Sequence, residues 1–407
     1  MSIKTVKEKF GTISRDERFN KAVTGLLLLL FSARLYQNTG NFYVSAFPLL
    51  IWVIAAAFGE LKKNKESWKA FLWFIPFLLW NLISVLWSDH PGYSLQRAVF
   101  AVFITAGFLS AGYLFTDYLK EKFTFHYIIL IPLILLSLFS MLSGIPGNSW
   151  SGGNGLGFMG FASHQNTLAA AVIFTLPVLF YPFTEKVRIS PGKNRLLIIN
   201  ALLLTGALYI LISSHSRASV LAFLIFFILF ALISLKKGSL IYVVPALFLI
   251  GAVVMFSPLG KKIEDYAYKS APSVLSTRQE MIKASIDGAK LGGLTGLGYG
   301  ISHRDTSIVL AGDHERNGIF VREKGISSLG IVEETGITGL ILFLIIYIPL
   351  IRRVKQSYNF TTRQKLFILS VFLMYSVHAQ FEAWWIGAGS MFYQIHFFTI
   401  GYLIKNS

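Results

Sequence analysis

The chain contains no cysteine among its 407 residues, which excludes disulfides and every thiolate metal centre. It is also poor in acid. Asp and Glu number 20 against 37 Lys and Arg, and charged residues make up only 14% of the whole. With 54% hydrophobic residues, the apolar surface exceeds what a water-facing fold of this length can hide, so lipid must cover the excess. Two further absences narrow the reading. The segment Met1 to Asn20 is polar and charged, without the apolar core of a cleavable signal. No repeat recurs along the chain, and its halves are not alike, which counts against a transporter built from inverted repeats. The net charge of +17 is read as basic loops against anionic headgroups, not as a nucleic-acid surface.

What the chain has in quantity is long apolar runs, with 36 Phe and 8 Trp suited to lipid contact and interfacial belts. A bilayer core needs about 20 apolar residues per helix. Twelve stretches qualify: 20–36, 42–60, 68–87, 93–115, 125–143, 166–183, 195–214, 217–235, 239–259, 329–351, 364–381 and 389–404. The expected fold is therefore an all-α polytopic membrane protein of about twelve spans, forming a single membrane domain over residues 1–407. Most Lys and Arg fall in alternate connections, while the short loops of the other side hold only Arg34, Arg97 and Arg217. This bias predicts that both termini lie on the cytoplasmic side of the membrane. Residues 260–328 then form one long outer loop, and connections of that length are usually functional.

In this topology even-numbered spans start at the outer face, with their positive dipole ends toward it. Polar residues gather at those starts. Ser216-Arg217 opens the span at 217–235, with His215 beside it, and a capped helix start with an Arg on its first turn is a ready anion site. Thr277-Arg278-Gln279-Glu280 reads as a capping box ahead of an amphipathic helix whose apolar face is Met281, Ile282, Ser285, Ile286 and Ala289. Arg97 lies about a turn into the span at 93–115, where an unpaired cation is costly. A lone arginine of this kind reads equally well as a headgroup anchor. Three at outer helix starts suit a phosphate or diphosphate, which the guanidinium fork grips bidentately. His164-Gln165-Asn166, the run Arg322-Glu323-Lys324, and the pair Glu333-Glu334 complete the outer polar set. The outer histidines show no metal-ligand spacing, so no metal and no cofactor are expected.

The order of these motifs resembles the superfamily of O-antigen ligases and Wzy-type O-antigen polymerases over residues 90–345. The matching features are Gly160 to Leu168 entering a span, Ser216-Arg217, Arg278 followed by Gly296-Leu297-Gly298-Tyr299-Gly300, and Ser327-Ser328-Leu329 ahead of Glu334-Thr335-Gly336-Ile337-Thr338-Gly339. The resemblance implies a GT-C-like bundle with a large periplasmic loop between spans 9 and 10. It implies inverting, metal-independent glycosyl transfer from a polyprenyl (undecaprenyl) diphosphate-linked glycan at the periplasmic face, to a glycan or lipid acceptor. Arg97, Arg217 and Arg278 would hold the diphosphate, and His164, Asn166, His215 and Glu334 would contribute other substrate contacts. Ligases of the family carry a histidine at the position of Gly325. Its loss here shifts the expectation toward a polymerase of O-antigen or another surface polysaccharide, with a ligase acting on lipid A core as the alternative. Glu323 is then the nearest substitute base, and His314 and His303 are the next. A flippase for the same lipid-linked glycan, or a structural membrane subunit, are the readings from other classes. A chain-length regulator is a further partner that the polymerase reading leaves open.

Overall fold

The computed structural model describes residues 42–62, 64–118, 157–160, 164–184, 191–234, 279–303, 314–316, 318–322 and 324–407, with the single positions 131, 134, 135, 137 and 162. The expected spans at 20–36, 125–143 and 239–259 lie wholly or mostly outside the described residues. The described part is mostly helical. Its helices are α1 (Phe42–Leu61), α2 (Lys65–Leu72), α3 (Ile75–Ile83), α4 (Pro91–Tyr118), α5 (Gln165–Thr175), α6 (Pro191–Ser213), α7 (Arg217–Ser234), α8 (Gln279–Gly292), α9 (Ser327–Ile345), α10 (Tyr347–Gln356), α11 (Thr362–Ala379) and α12 (Met391–Asn406).

Local chemistry sets several of these boundaries. Asn64 caps α2 by accepting from Ser67 N at 3.1 Å. Thr361 and Gln364 close a reciprocal capping box on α11, which satisfies two backbone donors that the first turn leaves unpaired. Pro177 and Pro182 lie in the 3-10 stretch Leu176–Thr184 after α5; proline has no amide hydrogen with which to continue an α-helix.

By length and composition, three helical stretches among the described residues are long and apolar enough to cross a membrane: Lys65–Trp87, Pro91–Leu114 and Ser327–Gln356. Shorter apolar helices run over Leu50–Leu61, Gln165–Phe180, Ile198–Ser213 and Arg217–Leu232. Their outward faces are greasy: Ile198, Leu202 and Ile212 on α6, and Leu224, Phe227 and Ile228 on α7, are all exposed. Contiguous exposed apolar faces of this kind fit a lipid solvent better than water.

Packing takes two forms. α4 and α12 cross backbone to backbone. A Cβ at Gly112 would meet Phe398 O, and one at Gly401 would meet Leu109 O, so only glycine permits the approach. α7 meets α11 through rings. Phe226 and Phe230 stack, both lie edge-on to Phe367, and Phe180 closes the group.

Two features depart from the sequence reading. First, the structure is not purely helical: β1 (His314–Arg316) pairs antiparallel with β2 (Ile319–Val321). Asn317-Gly318 between them is the two-residue turn signature that announces a hairpin, and Gly318 has φ 74°. Second, α8 buries Ala284, Ser285, Gly288, Ala289 and Gly292, while Ile286 is turned outward at 39% exposure. The expected apolar face is rotated because α8 packs through its small residues, which allow a backbone-close approach to α9.

Candidate functional site

Gly336 has φ 74° and ψ 178°, a conformation open essentially to glycine alone. It breaks α9 into Ser327–Thr335 and a second half from Ile337. A broken helix frees main-chain groups that must be satisfied elsewhere. The Gly-rich loop after α8 does this. Leu297 N and Gly298 N donate to Glu333 O and Glu334 O, each at 2.9 Å, while Ile337 N and Thr338 N donate to Gly293 O at 2.9 Å and Leu294 O at 3.2 Å. Trp80 Nε1 donates to Thr335 O at 2.7 Å and Trp87 Nε1 to Gly296 O at 3.1 Å. The approach is tight. A Cβ at Gly296 would strike the backbone at Glu334–Thr335, and one at Gly336 the backbone at Leu294–Thr295.

The break places two carboxylates inside the protein. Glu333 is 0% and Glu334 5% exposed. Lys324 reaches both, at 2.5 Å from Glu334 Oε1 and 3.6 Å from Glu333 Oε2. The remaining oxygens accept main-chain hydrogen bonds, Glu334 Oε2 from Gly300 N at 2.9 Å and Glu333 Oε1 from His303 N at 3.1 Å. Gly288 makes room for the Glu333 carboxyl, since a Cβ there would overlap it. The buried Arg322 ties α8 to the loop by donating to Ala284 O and to His303 O.

Arg97 sits on the second turn of α4 and packs its aliphatic stem on Gly300, whose φ is 81°. Its Nε is buried and has no hydrogen-bond partner. No ion pair to Arg97 occurs among the described residues. Glu334 lies across Gly300 from it and is paired instead with Lys324. Tyr299 lies within the field of both Arg97 and Glu334. Burial first, and then Tyr393 and the Glu334 carboxylate, push its phenol well above the ordinary tyrosine value, while Arg97 opposes the shift.

A second polar group lies where α5 and α9 begin. His164 caps α5, its Nδ1 accepting from Asn166 N at 3.1 Å. Asn166 Nδ2 donates to Glu382 Oε1 at 3.1 Å. Ser327 Oγ donates to Glu382 O at 3.0 Å and accepts from Trp385 N at 3.1 Å, and Ser328 Oγ donates to Gln380 Oε1 at 2.7 Å. Near the start of α7, His215 adopts φ 53°, Ser216 Oγ donates to Ser219 Oγ at 3.1 Å, and Ser219 Oγ lies 3.2 Å from His378 Nε2.

The sequence-derived candidates thus divide. Arg97, Glu334 and the Gly296–Gly300 loop come together, and His164 and Asn166 join Glu382 in a second group. Arg217 opens α7 with His215 two residues before it. His314 stands on β1, and Arg278 and Glu323 lie outside the described residues. Sequence reasoning gave Lys324, Glu333 and Glu382 no place in the site. Lys324 sits in the same polar run as Glu323, and only three-dimensional proximity distinguishes the lysine that compensates both carboxylates. Among the described residues, no group of three or more His, Asp or Glu side chains is arranged to hold a metal ion. No protein-family model matches the chain, and no curated protein matches it at a significant level.

Proposed function

We propose that this chain is a membrane glycosyltransferase that takes glycan from a polyprenyl diphosphate carrier at the periplasmic face of a bacterial inner membrane, and that it most closely fits a polymerase of surface-polysaccharide repeat units. The reading includes about twelve spans in a GT-C-like bundle, cytoplasmic termini, and residues 260–328 as the periplasmic loop. The observation that carries it is Arg97. A guanidinium partly buried on an apolar helix, with no counter-ion among the described residues, is unfavourable unless an anionic ligand completes it. A diphosphate supplies the matching fork of oxygens. Arg217 and Arg278 are its proposed partners in the clamp, stabilising negative charge as the carrier diphosphate departs. The apolar helix faces suit the polyprenyl tail. The acceptor hydroxyl needs a base, for which Glu323 is proposed first and His314 second. Glycine at position 325, where ligases of the resembling superfamily carry histidine, favours the polymerase over transfer to lipid A core.

The test is elongation in vitro with a purified lipid-linked repeat unit. Longer glycans without added lipid A core would support the polymerase. Unchanged elongation by both Arg97→Ala and Arg217→Ala would sink the diphosphate clamp. One observation favours a second reading. A helix interrupted at Gly336, with buried charges beside the break, is also how carriers build binding sites. Translocation of a labelled lipid-linked glycan across proteoliposomes, without growth of the glycan, would select that reading.

A further inference from the structure

The buried charges around α9 do not balance in pairs. Two carboxylates, Glu333 and Glu334, face one lysine. Of the other neighbouring cations, the buried Arg322 directs its guanidinium to the carbonyls of Ala284 and His303, and Arg97 lies across Gly300 from Glu334, whose Oε2 accepts the Gly300 amide while the arginine stem rests against Gly300. In a low-dielectric interior an under-neutralised carboxylate would draw in the nearest guanidinium. Among the described residues Arg97 instead takes part in no ion pair, while Lys324 holds Glu334.

We infer that Lys324 is a positioning residue for the anion site, holding Glu333 and Glu334 so that neither captures Arg97 and leaving the Arg97 guanidinium free for a diphosphate-bearing ligand. This rests on the diphosphate reading proposed above. Lys324 touches no ligand in this role. It sets the fraction of molecules in which Arg97 is competent to bind, and apparent affinity falls in proportion to that fraction. Because its function is charge compensation, neutralising its partners makes it dispensable. A purely structural lysine would not be rescued in that way.

The experiment measures binding of a short water-soluble polyprenyl diphosphate to the full-length protein in detergent. Lys324→Met is expected to weaken binding about tenfold to hundredfold, as expected when a competing carboxylate occupies the arginine. Lys324→Arg, which keeps the charge, should stay near the parent. The triple variant Lys324→Met/Glu333→Gln/Glu334→Gln removes the competition but keeps an acceptor for the Gly300 amide, so it should recover most of the affinity. Arg97→Ala should lose binding in both the parent and the triple background. Equal binding by the parent and a folded Lys324→Met would overturn the inference alone. So would a folded triple variant that binds as weakly as Lys324→Met. If Lys324→Met does not fold, the triple variant decides by itself. No binding by the parent protein would overturn the diphosphate reading and this inference together.

Discussion

The α7–α11 contact and the α8–α9 contact are both helix against helix, yet they are built from opposite materials. Between α7 and α11 the rings of Phe226, Phe230 and Phe367 interleave, and no charge takes part in this ring contact. Between α8 and α9 the surfaces meet through Gly288 and Gly292, and the space between them is taken by the Glu333 carboxyl and its backbone. Ring packing tolerates substitution because its attraction is spread over many weak contacts. A buried charge network is intolerant, since each member leaves a desolvated partner when it is removed. The aromatic side of the molecule therefore serves as scaffold, while the broken-helix side holds groups in a geometry that packing alone would not choose.

The sharpest way to test this contrast is Lys324→Met. It leaves two buried carboxylates with only Arg97 to draw in and should cost about 3–5 kcal/mol of stability, read as a lowered unfolding temperature in detergent. Arg97→Ala should behave in the reverse sense. Its stability should be unchanged or slightly raised, because an uncompensated cation is removed, while elongation of lipid-linked glycan falls about 100-fold or more. Parallel loss of both stability and activity would make Arg97 a structural residue and erase the difference between the two regions. Gly336→Ala should cost about 1–3 kcal/mol for its backbone conformation alone, and more through contact with Leu294; thermal unfolding measures it. Phe367→Ala, on the aromatic side, should cost less than the roughly 3–5 kcal/mol known for soluble cores, because lipid is as apolar a neighbour as the lost ring. A Phe367→Ala penalty above that of Lys324→Met would reverse the comparison.

The smallest effect concerns alkaline pH. Tyr299 keeps its proton in the folded state above the value at which it ionises when unfolded. The folded state then binds more protons above about pH 10, so stability is intact below that value and declines by about 1.4 kcal/mol per pH unit above it. Tyr299→Phe should flatten this decline in an alkaline unfolding series. An unaltered slope would show that Tyr299 does not contribute.

Much of the helical framework was legible in the residues. The runs at 42–60, 93–115, 217–235 and 389–404 lie over α1, α4, α7 and α12 within a few residues, because apolar length is a local property. The caps at Asn64 and Thr361 are equally local, although the sequence reading did not single them out. The hairpin at β1–β2 was not legible despite the Asn317-Gly318 turn signature, because strands of three residues are too short to show an alternating pattern. The site was legible in part. Arg97 and Glu334 were singled out as polar groups at helix starts, but in separate motifs with separate roles. Their proximity across Gly300 depends on a helix break at Gly336 and on a loop from forty residues earlier in the chain.

By itself, then, the sequence determined which segments prefer an apolar surrounding, where their helices start, and that arginines cluster at those starts. Hydropathy and capping act over a few residues and need no partner. Only the tertiary structure decided that Lys324, not Arg97, pairs with the two glutamates. That choice follows from which charges are brought within a few ångströms of one another in a medium that screens them poorly, and such distances exist only once the chain has folded.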